Sequence, residues 1–279
     1  MTIITRFAPS PTGHLHLGHA HSALFGWRAA MDAGGRFLLR IEDIDPGRCR
    51  REFETALMED LSWLGLEWPT PVRRQSEHLE DYRAALEQLD RLGVIYPCFC
   101  TRKEIEEEIA RAGHAPHGPD GALYPGTCRA LSAQEQADRR DAGVPFALRL
   151  NVGRAVGMTG PLEWRDRRAG RVLATPEILG DVVLARKDVP TSYHLSVTVD
   201  DSLQGVTLVT RGEDLFHATH LHRLLQALLG FRVPEYHHHG LLTNERGERL
   251  AKRDKAVSLR ALRDAGKSAA EIRAMAGFD

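Results

Sequence analysis

Arg6-Phe-Ala-Pro-Ser-Pro-Thr-Gly-His-Leu-His-Leu-Gly-His19 follows two isoleucines, Ile3 and Ile4, and runs into Ala20, Ala23, Leu24, Trp27, Ala30 and Met31. Apolar residues spaced three and four apart line one face of a helix. Gly34-Gly35 supplies the residue type that ends one. The stretch is therefore expected to pass from a first strand through a Pro/Gly turn into an amphipathic helix. His16, Gly18 and His19 then stand at a helix N-terminus, where unpaired backbone N–H groups and the positive dipole end favour phosphate. Gly18 leaves room for a nucleotide, and the two imidazoles can donate to phosphate oxygens. Taken alone, His-x-Gly-His reads equally well as a stiff turn in a chain that holds 14 histidines.

Beyond that helix, Arg36-Phe-Leu-Leu-Arg-Ile41 reads as a strand that delivers Glu42-Asp-Ile-Asp45 to its carboxyl end, where α/β sheets bind ligands. Phe53, Leu57, Leu61 and Leu64 keep helical spacing up to Gly65; Leu79, Tyr82, Leu86 and Leu89 do so after Ser76, an expected N-cap. This alternation predicts an α/β fold with a doubly wound parallel sheet. Character changes at Tyr96-Pro97. Sheet-like sequence returns at Val182–Leu184 and Val206–Val209, and a helix carrying Leu221, Leu224, Leu225 and Leu228 ends at Gly230. The expected organisation is a split Rossmann-type domain over 1–97 and 189–238, an insertion over 98–188, and a cationic-loop and helical segment over 239–279. His237-His238-His239 is expected in a loop.

The 279 residues, 42% hydrophobic, suffice for a sizeable core. No apolar run approaches the roughly 20 residues of a membrane span, and no basic-then-apolar leader opens the chain. Four cysteines, two as Cys98-Phe-Cys100, suggest metal ligands in a reducing compartment, so the cytoplasm is expected. Cys49 stands alone and is expected to be inert. Net charge is −1, yet 139–171 holds eight Arg against three acids and 246–273 nine Lys/Arg against four, leaving +5 in each. Tracts of that kind can meet an RNA backbone.

A second cationic stretch, Arg249-Leu-Ala-Lys-Arg253 after Gly247, lies where a mobile loop would close on a triphosphate. Together with the opening stretch it resembles the HIGH and KMSKS signatures of class I aminoacyl-tRNA synthetases. The wording Arg6 to Gly13 with Ile41-Glu-Asp-Ile-Asp45 narrows the likeness to the glutamyl and glutaminyl branch. The resemblance implies ATP, with Mg2+, and L-glutamate as substrates. His16, His19 and Lys252 become the catalytic candidates, and His16, Gly18, His19, Arg249, Lys252 and Arg253 the ATP-binding ones. The family's glutamate pocket corresponds here to Arg6, Phe7, Ala8, Pro9, Ser10, Glu42, Tyr193 and Arg211. Arg6 and Arg211 suit the side-chain carboxylate, because a guanidinium fork matches it; Glu42 suits the ammonium group. Arg249 stands where the family usually has Lys, and Ala251 where it usually has Ser.

Cys98, Cys100 and Cys128 supply three thiolates for a zinc that takes four ligands, with Tyr124, His114 or His117 available as the fourth. The family resemblance favours Tyr124: Cys-x-Cys with Tyr-x3-Cys is the pattern of its short members. Those members lack the helical anticodon reader and attach glutamate to queuosine in the anticodon loop of tRNA(Asp). The same activity, by a monomer, is expected here, since about 25 residues follow the cationic loop. Three other readings stay open: a glutamate-activating unit for tRNA(Glu), a nucleotidyltransferase acting on a small acid, and a non-catalytic tRNA-binding module.

Overall fold

In the computed structural model, which describes residues 2–111, 117–119, 121–242 and 257–278, Ile4–Phe7 form β1 and Leu17–Met31 form α1. Pro9 and Pro11 lack the N–H that a strand or helix would use, so the chain turns between them. A Cβ at Gly35 would stand 2.1 Å from the Ile3 carbonyl oxygen, so only glycine lets the chain fold back this close. β2 (Arg36–Ile41) then runs parallel to β1, Phe7 opposite Leu39. Strand alternation sends Phe37, Leu39 and Ile41 into a core shared with α1 and α2 (Arg51–Trp63). The same alternation leaves Leu38 and Arg40 on the other face.

β3 (Arg73–Arg74) extends this sheet beside β2. α3 (Leu79–Arg91) buries Tyr82, Leu86 and Leu89 as their spacing predicts, but Ser76 does not cap it. Ser76 lies in a 3-10 turn, and its N–H and hydroxyl both donate to the Asp43 carboxylate. A charged acceptor outcompetes the helix end for this residue. β4 (Ile95–Cys98), α4 (Arg102–Arg111), the short β5 (His117–Gly118) and β6 (Gly121–Ala122), α5 (Ala133–Asp141), β7 (Ala147–Leu150) and α6 (Val152–Thr159) follow. β7 lies antiparallel between β4 and β10 (Val183–Ala185), after the hairpin of β8 (Glu163–Asp166) and β9 (Gly170–Leu173).

α7 (Tyr193–Leu203), β11 (Leu208–Gly212), α8 (Ala218–Leu229) and β12 (Glu235–His239) complete the second half. β11 pairs parallel with β12, and β12 with β8 at Tyr236 and Asp166. β1 meets β11 where Thr207 N–H donates to Ile4 O at 3.0 Å, so the two halves join edge to edge. β11 runs on to Gly212, so Arg211 stands at its carboxyl end. Two expectations change. The histidine trio is strand β12, with His238 and His239 buried. The β8–β9 hairpin, expected in a separate insertion, extends the main sheet because Trp164 packs edge-on against Tyr236.

α1 crosses this junction closely. At Gly26 a Cβ would lie 2.7 Å from Thr210 Oγ1, and the Gly26 carbonyl accepts from Thr5 Oγ1 at 2.8 Å. After 257, α9 (Leu259–Asp264) and α10 (Ala269–Met275) return Leu259, Ile272, Ala276 and Phe278 to the first core.

Candidate active site

A cavity of about 580 Å3 opens at the carboxyl ends of β1, β2 and β11. It brings together Arg6, Phe7, Ala8, Pro9, Ser10, His16, Gly18, His19, Glu42, Tyr193 and Arg211, with Thr210, Asp214 and Leu241 added to the residues expected from sequence. Arg249, Lys252 and Arg253 lie outside the described residues. The described chain leaves and returns beside the cavity: Leu241 lines it, Ser258 bridges to His16, and Leu259 N–H donates to Leu15 O at 2.7 Å.

The helix N-terminus is less open than expected. Gly18 N–H donates to His16 Nδ1 at 3.1 Å and His16 N–H to His19 Nδ1 at 3.2 Å, while His19 N–H bonds to His16 O. These bonds also fix the tautomer of both rings. Each Nδ1 accepts from a backbone N–H, so the proton of each neutral ring sits on Nε2 as a donor. Burial, and then the neighbouring His16, hold His19 down to about 4, and burial lowers His16 as well. The pair therefore presents two neutral donors, with ring centroids 3.8 Å apart.

Arg211, 5% exposed, is surrounded by neutral partners. Its Nε donates to His238 Nε2 at 3.1 Å and its Nη2 to Thr219 Oγ1 at 2.6 Å; Nη1 lies 3.3 Å from both Tyr193 Oη and His222 Nδ1. None is an acid, and among the described residues Arg211 forms no ion pair. Burial and then the charge of Arg211 hold His194 and His238 down to about 4 and His222 well below the usual histidine range. A buried guanidinium without a counter-anion is costly, and an anionic ligand would remove that cost.

Arg6 is different. Its Nε and Nη2 grip the Asp201 carboxylate at 3.0 and 3.3 Å, and Nη1 donates to Thr210 O at 3.2 Å. Asp201 also accepts from Arg40 at 2.8 Å, and Arg40 reaches Glu42 at 3.3 Å. Behind them Asp200 takes Arg73 at 2.7 Å, Gln75 at 2.8 Å and the Tyr82 hydroxyl. Burial raises Glu42 to about 6, since Arg40 and Arg6 only partly offset it. Asp200, Asp201 and Arg40 were not singled out from sequence. The available signal was a charge inside the apolar strand Phe37-Leu-Leu-Arg-Ile41 and an acid pair ending the apolar turns of α7.

The sulfurs of Cys98, Cys100 and Cys128 lie within 4.8 Å of one another. Tyr124 Oη stands 3.4 Å from Cys98 Sγ and 3.7 Å from Cys100 Sγ. Burial pushes the Cys100 thiol up to about 12 and the Tyr124 phenol above its usual range. Burial also acts on Cys128, but hydrogen bonds from Tyr124 and the Phe99 N–H hold its thiol below the usual range. The Arg149 guanidinium lies 3.9 Å over the Tyr124 ring. Three sulfurs and one oxygen match a closed four-coordinate metal. His114 and the side chain of His117 lie outside the described residues.

The basic tract 139–171 is partly neutralised. Arg165 and Arg167 pair with Glu235, Arg168 with Glu213, and Arg171 with Glu163. Arg139 and Arg140 instead lie over Phe99 and Phe146.

The family model for the catalytic domain of class I tRNA synthetases (E and Q) matches residues 2–275. Over 99% of this chain and 100% of its own length, the glutamyl-Q tRNA(Asp) synthetase of Rhodobacter capsulatus is 51% identical. That of Nocardia farcinica is 45% identical over 97% of this chain and 82% of its own. The crystal structure of glutamate-tRNA synthetase from Elizabethkingia anophelis superposes with a TM-score of 0.77 at 28% identity, over 96% of this chain and 54% of that one. This chain thus spans about half the length of that synthetase.

The depressed histidines predict how stability follows pH. His19, His194 and His238 have pKa values near 4 in the folded chain against an ordinary 6.5, so the unfolded chain binds more protons between those values. Stability is fully present above 6.5 and falls as pH drops towards 4. Glu42, raised from 4.5 to about 6, acts with the opposite sign and offsets part of the loss. Urea unfolding across this range should show the midpoint falling with pH, and a flat profile would mean that these rings are not buried and neutral.

Proposed function

The chain belongs to the catalytic-domain family of class I tRNA synthetases for glutamate and glutamine, and from that premise we propose that it activates L-glutamate with ATP and transfers it to queuosine in tRNA(Asp). The observation that carries the amino-acid choice is a charge pattern. Among the described residues Arg211 has no acid, and Glu42 lines the same cavity, which complements a side-chain carboxylate and an ammonium group. Arg6, already gripped by Asp201, keeps the pocket positive and shaped and leaves the direct carboxylate contact to Arg211. Likeness to the Rhodobacter capsulatus protein along both whole chains supports queuosine in tRNA(Asp) as the acceptor.

In the first step a carboxylate oxygen of glutamate attacks the α-phosphorus of ATP, and pyrophosphate leaves. Charge develops on phosphate oxygens, so donors fixed in advance lower the barrier. The two Nε2–H groups of His16 and His19 would supply such donors. Lys252, with Arg249 and Arg253, would supply positive charge to the leaving pyrophosphate, and Mg2+ accompanies ATP as in the class. In the second step a hydroxyl of the queuosine cyclopentenediol attacks the acyl carbon and AMP leaves. Residues 1–97 and 189–238 form the activating domain on this reading, with β8–β9 joined to its sheet. The rest of 98–188 is the metal-bearing insertion, and 239–279 carries the cationic loop. Cys98, Cys100, Cys128 and Tyr124 would hold one zinc, which has a structural role because no coordination position is left for substrate.

Labelled glutamate and ATP should load tRNA(Asp) from queuosine-making cells and leave tRNA(Asp) from queuosine-deficient cells unlabelled. Labelling of tRNA(Glu) instead would move the protein to ordinary aminoacylation. Metal analysis should find one zinc per chain in the purified protein and none in Cys128→Ser, and an equal zinc content in both would remove the four-ligand assignment.

A further inference from the structure

Arg211 is aimed by a residue that does not line the cavity. Every N–H of a guanidinium donates and none accepts, so His238 Nε2, 3.1 Å from Arg211 Nε, must carry a lone pair. The proton of that neutral ring is then on Nδ1, which faces Asp166 Oδ2 at 2.8 Å. Asp166, 1% exposed, is saturated: His238 N–H, Arg168 N–H and Ala169 N–H donate to it at 3.1, 2.8 and 2.8 Å. Its carboxylate cannot turn away without stranding those donors. The negative charge also stays one ring behind Arg211, so it does not occupy the guanidinium donors that face the cavity.

We propose that Asp166 is a positioning residue for the amino-acid site: by fixing the tautomer of His238 it sets the orientation of the Arg211 fork, and with it the affinity for the substrate's side-chain carboxylate. This rests on the reading of Arg211 as the carboxylate-binding cation. It gives the β8–β9 hairpin a direct part in substrate selection from outside the cavity. Among the described residues, the path from hairpin to ligand is Asp166, His238, Arg211.

Asp166→Asn tests it. The amide oxygen can keep the two turn N–H groups, but its NH2 then faces His238 Nδ1. That ring must accept there and turn an Nε2–H towards the Arg211 N–H. In ATP–pyrophosphate exchange the KM for glutamate should rise by about ten- to hundredfold, the loss of one charge-assisted hydrogen bond, with the KM for ATP changed by less than about twofold. His238→Leu, which removes the acceptor and leaves Asp166 in place, should give the same split. In the Asp166→Asn background, His238→Gln places an amide oxygen near the former Nε2 position and should restore part of the glutamate KM. A merely structural Asp166 would raise both KM values together and give no rescue, and that result overturns the proposal. Arg211→Lys separates the two layers. An unchanged glutamate KM there removes the pocket reading itself, whereas a raised one beside a normal Asp166→Asn removes only the relay.

Discussion

Four guanidinium groups lie in or beneath one cavity, and among the described residues three of them have an acid. Arg6 and Arg40 share Asp201, and Arg73 and Arg40 share Asp200, so the buried charge below the cavity floor is closed on itself. Arg211 has His238, Thr219, Tyr193 and His222 and, among the described residues, nothing anionic. Leaving one buried charge without a partner costs several kcal/mol, which the rest of the fold must offset. The neutral histidines limit that cost, because a protonated ring beside Arg211 would add like charge. Arg211 itself lines the cavity.

The arrangement follows from how two half-sheets meet. β1 and β11 run side by side, so their carboxyl ends deliver Phe7 to Ser10 and Arg211 to one rim, and β2 delivers Glu42 next to them. Gly26 permits the close crossing of α1, which carries His16 and His19 to the opposite wall. One wall is thus suited to phosphate through neutral donors, and the other to an amino acid through one cation and one acid. Glu42, raised by burial, gains from a ligand ammonium group what Arg40 and Arg6 only partly provide.

Much of this was legible because the informative residues sit at turns and strand ends, where local signals are strong. Pro9, Pro11 and Gly13 announced a strand-to-helix turn, and Glu42 followed an apolar run of obvious strand character. The failures share a cause. Arg40, Asp200 and Asp201 matter through partners more than a hundred residues away, which no window of sequence displays. His237 to His239 carry no apolar alternation, so β12 looked like a loop, yet parallel pairing to β11 decides the matter. Asp166 was hidden among the arginines of an exposed-looking hairpin. Its inward position shows only in the alternation Glu163 out, Trp164 in, Arg165 out, Asp166 in. Ser76 was misplaced because the nearby Asp43 was a better partner than a helix end.

The most direct test of the central claim is calorimetric binding of glutamate and of glutamine to the protein in the presence of a non-hydrolysable ATP analogue. The two ligands have nearly the same shape and differ in the charge that Arg211 lacks. The account predicts that glutamate binds and that glutamine binds at least about tenfold more weakly, the loss of a charge-assisted hydrogen bond. Equal affinities would contradict it, because the buried guanidinium would then not be reading a carboxylate.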